Sequence, residues 1–191
     1  MNLLEWAQNY WPYDEEEGAD KEAFIQFLEQ RKKASLSLYK RENLVGHITV
    51  SCWIVNQKRT CVLMGFHNLY KHWGWLGGHA DGNEDLIAVA RKEISEECGL
   101  KDAKLLCDEP IDFCILGVGA HYKNSRQVPA HLHFNFTYLF EADENLLIRP
   151  KTDENKAVSW IDNRRVIAVS NEEATAPVYA RIMEKIKERS L

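Results

Sequence analysis

The sequence predicts an α+β fold in which helices flank a central mixed sheet, with an N-terminal helical appendage ahead of it. Three observations carry that expectation. Two long stretches, His47–Val55 and His131–Phe140, alternate in character with the period of two that marks strands. Between them, from about Asn83 to Cys98, runs a helical stretch whose Leu86, Ala90 and Ile94 form an apolar stripe. Strands and helices interleave without the regular βαβ alternation of a doubly wound sheet.

Residues 1 to about 40 read as helical, with Phe24, Ile25, Phe27 and Leu28 on one face. Pro12, Gly18 and the acidic run Asp14–Glu17 divide this part into two short pieces. We expect an appendage over 1–42 packed on a main domain over 43–191, with a dimer contact or a substrate lid as its other roles. In the first strand Ile48, Val50, Cys52 and Ile54 take one face and Thr49, Ser51 and Trp53 the other. Asn56–Thr60 is a polar connection to a second strand, Cys61–Phe66. Ile111–Val118 and Ala157–Ile161 are further strands, and Glu172–Glu188 is a closing helix.

At 191 residues, 45% of them hydrophobic, the chain can bury the core of one domain. A net charge of −5 argues against a nucleic-acid polymer as partner, although a nucleotide in a metal-containing pocket needs no basic surface. The N-terminus has no basic segment followed by an apolar one, so a secretory signal is not expected, and no apolar run is long enough to span a membrane. The five cysteines, odd in number and without CxxC spacing, read as reduced core thiols of a cytoplasmic protein with no structural zinc site.

The chemistry concentrates in Gly77-Gly78-His79-Ala80-Asp81-Gly82-Asn83-Glu84 and Lys92-Glu93-Ile94-Ser95-Glu96-Glu97-Cys98-Gly99-Leu100. The two glycines permit close approach of a ligand to the backbone. Asn83 is a candidate N-cap, with Glu84 and Asp85 in the first turn, and Gly99 stops the helix. Glu93, Glu96 and Glu97 fall at i, i+3 and i+4, on an arc of roughly 100°. Like charges so placed repel, and a hard divalent cation relieves the repulsion. A solvated acidic face is the plainer reading of the triplet alone.

The whole pattern resembles the Nudix box, Gly-x5-Glu-x7-Arg-Glu-U-x-Glu-Glu-x-Gly-U with U aliphatic, at Gly78, Glu84, Glu93, Ile94, Glu96, Glu97, Gly99 and Leu100. Lys92 stands where that family usually has Arg, and Leu76 where most members have Pro before the glycines. The likeness extends over roughly 43–165, through Gly46-His47-Ile48-Thr49, Trp73–Gly82, Pro129–Phe134 and Val158-x-Trp160-Ile161. It is similar to a bacterial Nudix subgroup with a Gly-Gly-His-x-Asp-Gly signature.

The resemblance implies an α/β/α sandwich and a pyrophosphohydrolase of small nucleotide-derived diphosphates. It further implies Mg²⁺ (or Mn²⁺) held by the Gly77 carbonyl with Glu93, Glu96 and Glu97. By the same resemblance Glu84 supports the loop and Trp75 is packing. The general base is a box glutamate (Glu93 or Glu97) or Glu154, for which a plain surface acid is the alternative. His131 and His133 share a strand face with Asn135 and Thr137, opposite the aromatic face of Phe134, Phe136 and Tyr138. With His47 and His79 they are expected to line the substrate cleft rather than to bind Mg²⁺, which prefers oxygen. Trp73, Tyr70 and His72 either stack on a base or cover the core. Lys123 and Arg126 could grip a phosphate, or form a solvated loop. A homodimer is left open.

Two rival functions share parts of this pattern. A non-catalytic nucleotide-binding module usually loses box carboxylates, whereas this chain keeps them. An isopentenyl diphosphate isomerase has histidines placed similarly to His47 and His79, but needs a cysteine just before the second, where Gly77 and Gly78 stand.

Overall fold

The computed structural model describes residues 2–31, 36–68, 71–123, 125–152 and 155–189. In chain order the elements are α1 (Leu3–Asn9), α2 (Glu15–Gln30), β1 (Gly46–Asn56), β2 (Cys61–His67), β3 (Trp73–Gly74), β4 (Leu76–His79), α3 (Leu86–Cys98) and β5 (Lys104–Leu105). There follow β6 (Asp112–Val118), β7 (His121–Lys123), β8 (Arg126–Val128), β9 (His131–Ala142), β10 (Asn155–Asp162), a 3-10 turn (Asn163–Arg165), α4 (Val166–Ser170) and α5 (Ala176–Glu188).

The two long alternating segments are the centre of the sheet. β1 and β9 pair in parallel from Gly46↔Leu132 to Asn56↔Ala142, and every other pairing in the sheet is antiparallel. The strand order is β10-β2-β1-β9-β5, with β3 on β2, β4 on β1 and β6 on β9, so the sheet is mixed as expected. β7 and β8 form a separate hairpin.

β1 is buried at every position, on its polar face as well as its apolar one. The reason is a helical layer on each side. Ile48, Val50, Cys52 and Ile54 share one core with Phe134, Phe136, Tyr138 and Phe140 of β9, with Ala90 and Ile94 of α3, and with Phe24 of α2. The other core joins Trp53, Val55, Met64 and Leu139 to Val178, Tyr179, Ile182 and Ile186 of α5. This is an α/β/α sandwich.

The N-terminal helices are part of that first core. Phe24 is fully buried, with its ring 5.0 Å from Phe113 and 4.7 Å from Phe134. Two acids of α2 also finish the outer edge of β6: the amides of Phe113 and Ile115 donate to Glu17 (3.1 Å) and Asp20 (3.0 Å). An edge strand so capped has no free donors there to offer another chain. Lys185 of α5 closes the arrangement, donating to Glu17 (2.6 Å), Asp112 (2.9 Å) and the Ile111 carbonyl (2.9 Å). Arg181 binds Asp112 through Nε at 2.7 Å.

Two boundaries differ from the sequence reading. α3 begins at Leu86, not near Asn83, because Asn83 turns back on itself: its side chain accepts from the Asp85 amide at 3.0 Å. The N-cap is therefore Asp85, which accepts from Ala88, and Glu84 and Asp85 lie outside the helix. The closing helix starts at Ala176 with a proline in its first turn, after the short α4 and the left-handed Asn171. Gly99 ends α3 as expected, in the left-handed conformation at φ 78°.

Candidate active site

The glycine pair, which reads as loop, forms β4 and lies along β1, with Ser51↔Gly77 and Val50↔Gly78 in register. At Gly77 a Cβ would collide with the Val50 carbonyl, and at Gly78 it would stand 2.6 Å from Cδ of Glu93. Gly77 therefore requires glycine, and a side chain at Gly78 would push the Glu93 carboxylate aside. The bare backbone is what allows the box helix to lie so close. Across it come Glu93 and Glu97, 7% and 6% exposed, with the Gly77 amide donating to Glu97 at 3.3 Å.

Glu96 is the outer member of the triplet. It pairs with Lys92 at 3.5 Å and with Lys151 at 3.7 Å, and Lys92 also reaches Glu93 at 3.4 Å. Lysine in the position usually held by arginine thus still touches two box carboxylates, as a point charge rather than a planar fork.

Successive residues of a strand point to opposite faces, so Gly78 faces the box helix and His79 the other side. There β4, β1 and β9 each bring a histidine. His47 pairs with His133 and Thr49 with His79, and the ring centroids of His47, His79 and His133 are each 5.0 Å from the other two. One ring nitrogen from each lies within 4.8 Å of the other two. His131 stacks on His47 at 4.9 Å and places Nε2 3.2 Å from Nε2 of His133. Burial pushes the His133 imidazole down to about 3, helped by the neighbouring histidines, and burial lowers His47 as well.

Beneath the histidines the polar band on this face is internally satisfied. Asn135 accepts from Thr49 (2.9 Å) and Ser51 (3.0 Å) and donates to Thr137 (3.2 Å). Burial of this face, rather than exposure to solvent, follows from these bonds and from the α5 layer.

The remaining expected residues are dispersed. Arg126 stands exposed on the β7–β8 hairpin. Glu154 and Tyr70 lie outside the described residues, and so does the side chain of Lys123. Trp75 packs edge-on to Tyr179 at 4.9 Å, and Trp73 packs against Phe66 at 5.5 Å. His72 faces Glu172 at 3.6 Å. Of the cysteines, all free, Cys52, Cys98 and Cys114 are buried, while Cys61 and Cys107 are partly exposed and so are not core thiols. Among the described residues no helix is long and apolar enough to cross a membrane.

Two features were not legible in the sequence. The segment ahead of β1 wraps the glycine loop: Tyr39 accepts from Gly82, and Arg41 binds Asp81 at 2.5 Å, holding that carboxyl below its usual range. Asn43 supplies a carbonyl to His47 Nδ1 at 3.1 Å. The second is His121. Its ring lies 6.0 Å from His131, brought there by the hairpin return rather than by any local motif.

The family model described as the NUDIX domain matches residues 45–185. No curated protein matches the sequence. Among solved structures, the dihydroneopterin triphosphate pyrophosphohydrolase of E. coli superposes with a TM-score of 0.55 at 14% identity, over 72% of this chain and 94% of that one. A C. elegans Ap4A hydrolase binary complex gives 0.51 at 14% identity, over 75% and 96%. A NUDIX-family hydrolase from Clostridium perfringens gives 0.51 at 20%, over 75% and 97%. At these identities the superpositions speak for the fold.

Proposed function

The chain belongs to the Nudix family, and from that premise we propose that it is a Mg²⁺-dependent hydrolase of the diphosphate linkage in a small, nucleotide-derived substrate. The observation that carries this is the burial of Glu93 and Glu97 against the side-chain-free backbone of Gly77 and Gly78. Two carboxylates on adjacent turns of one helix repel, and a hard cation held between them relieves that repulsion.

The donor set fits a hard cation. The carboxylates of Glu93, Glu96 and Glu97 and the Gly77 carbonyl offer only oxygen, the ligand type magnesium takes while leaving positions for water and phosphate. When bound, the ion neutralises the diphosphate and lowers the pKa of an attacking water.

The protein's own part is placement. The Gly77 amide orients Glu97, and Lys92 and Lys151 hold Glu96. The missing side chains at Gly77 and Gly78 let the Val50 carbonyl and the Glu93 carboxylate close on that backbone. A box carboxylate, Glu93 or Glu97, or Glu154 ahead of the last strand in sequence, accepts the proton of water as its oxygen attacks phosphorus. The bond from that phosphorus to the bridging oxygen breaks, and the leaving phosphate carries the electron pair away. A cytoplasmic location accords with the five free thiols.

The test is a panel: nucleoside triphosphates, ADP-ribose, dinucleoside polyphosphates, nucleotide-sugars and non-nucleotide diphosphates, each with Mg²⁺ or Mn²⁺ and with chelator. We expect metal-dependent release of a phosphate-containing product from a nucleotide-derived member. Binding of a nucleotide without cleavage of any panel member would make the protein a binding module instead.

A further inference from the structure

We propose that His47, His79 and His133 form a second metal site, separate from the box glutamates, for a borderline transition ion such as Zn²⁺. The sequence alone suggests that these rings meet the substrate, but their packing suits an ion better. They come from three adjacent strands, with the ring centroids at the corners of a triangle 5.0 Å on each side. One nitrogen from each ring lies within 4.8 Å of the other two. Two nitrogens bound to one tetrahedral zinc at 2.0–2.1 Å are about 3.4 Å apart, so ring rotations that draw the nitrogens together by an ångström or so close the site.

The second observation is independent of that spacing. His47 is 4% exposed, and its Nδ1 lies 3.1 Å from the Asn43 carbonyl. A carbonyl can only accept, so Nδ1 carries the proton and the neutral ring presents a lone pair at Nε2. That Nε2 is buried and has no hydrogen-bond partner. An orphaned lone pair inside a protein is costly, and a ring fixed through Nδ1 to a backbone carbonyl with Nε2 left open is the arrangement of a metal-ligating histidine.

His131 follows the same logic. Its Nδ1 lies 2.9 Å from the Pro129 carbonyl, and its Nε2 faces His133 Nε2 at 3.2 Å. We assign it as a positioning residue for His133. At 8% exposure for His131 and 4% for His47, an ion reaches these rings more readily than a nucleotide would. His79 and His133 are partly exposed and give the way in. Three neutral nitrogens select a borderline ion over Mg²⁺, and leave a fourth tetrahedral position to water.

The experiment uses the full chain, stripped with chelator and dialysed, then titrated calorimetrically with Zn²⁺ alone. The wild type should bind one equivalent through the histidines, with any weaker binding to the glutamates resolved by Glu97→Gln. His79→Asn and His133→Asn, at the less buried corners, should each weaken that equivalent by more than ~100-fold, beyond what loss of a supporting residue costs. Circular dichroism on the same samples confirms folding. Wild-type zinc affinity in both histidine variants would overturn the site, as would no binding by the wild type or loss of the tight equivalent in Glu97→Gln. The proposal does not rest on the hydrolase reading: cleavage by the stripped enzyme with Mg²⁺ tests that one separately.

Discussion

Glu93 and Gly78 meet across the gap between the box helix and β4, where a Cβ on the glycine would stand 2.6 Å from Cδ of the glutamate. Neither can change without moving the other. Gly78→Ala should displace the Glu93 carboxylate and lower kcat by about 10–100-fold, the usual cost of disturbing a ligand's support. Its melting temperature should fall only modestly, since the atoms in the way are the far end of the Glu93 side chain rather than backbone. Full activity in this variant, with Mg²⁺ titrated to saturation, would mean that the position of Glu93 does not matter to turnover.

The buried cluster that joins α2, β6 and α5 is a stability feature. Lys185 is almost fully enclosed and serves both Glu17 and Asp112. Lys185→Met keeps much of the volume but leaves two buried carboxylates short of a cation. The expected loss is about 3–5 kcal/mol in urea denaturation. A loss under ~1 kcal/mol would show that Arg181 alone suffices for both acids.

The histidine cluster should make the metal-free protein sensitive to acid. Burial lowers His47 and takes His133 to about 3, below the unfolded value of about 6.5. The unfolded chain therefore binds more protons than the folded one between those values. The stability these neutral rings confer is fully present above about pH 6.5 and is lost as pH falls toward 3. For one group the slope reaches at most about 1.4 kcal/mol per pH unit. Chemical denaturation in chelator at pH 7, 6, 5 and 4 reads it, and His133→Asn should be less steep. An equal slope in that variant would place the acid sensitivity elsewhere.

Much of the fold was legible because it depends on local periodicity. Alternation located β1 and β9, the apolar stripe of Leu86, Ala90 and Ile94 located α3, and Gly99 ended it. What was missed depends on register and on competition between neighbours. β4 carries two glycines in four residues, so nothing in its pattern announces a strand. Asn83 and Asp85 are both good caps, and only the turn made by Asn83 decides between them. The glutamates share one helix and could be grouped by counting. The histidines come from three strands, and their meeting depends on the pairings His47↔His133 and Thr49↔His79, which no local signal reveals. The same holds for Glu17 and Asp20: the sequence marks the acidic run ending at Glu17 only as a break between two helical pieces, yet both carboxylates finish the edge of β6.

The most direct test of the central claim is turnover by Glu97→Gln on whichever diphosphate the wild type cleaves. The substitution preserves shape and leaves an oxygen to accept from the Gly77 amide, while removing one charge from the proposed Mg²⁺ site. The account predicts that product release falls by at least ~100-fold, the scale of losing one preorganised electrostatic contact to the transition state. The melting temperature should stay within about 2 °C of wild type, corresponding to less than ~1 kcal/mol. Unchanged kcat and unchanged Mg²⁺ dependence in a folded Glu97→Gln protein would contradict it, because the buried carboxylates would then have no part in the chemistry.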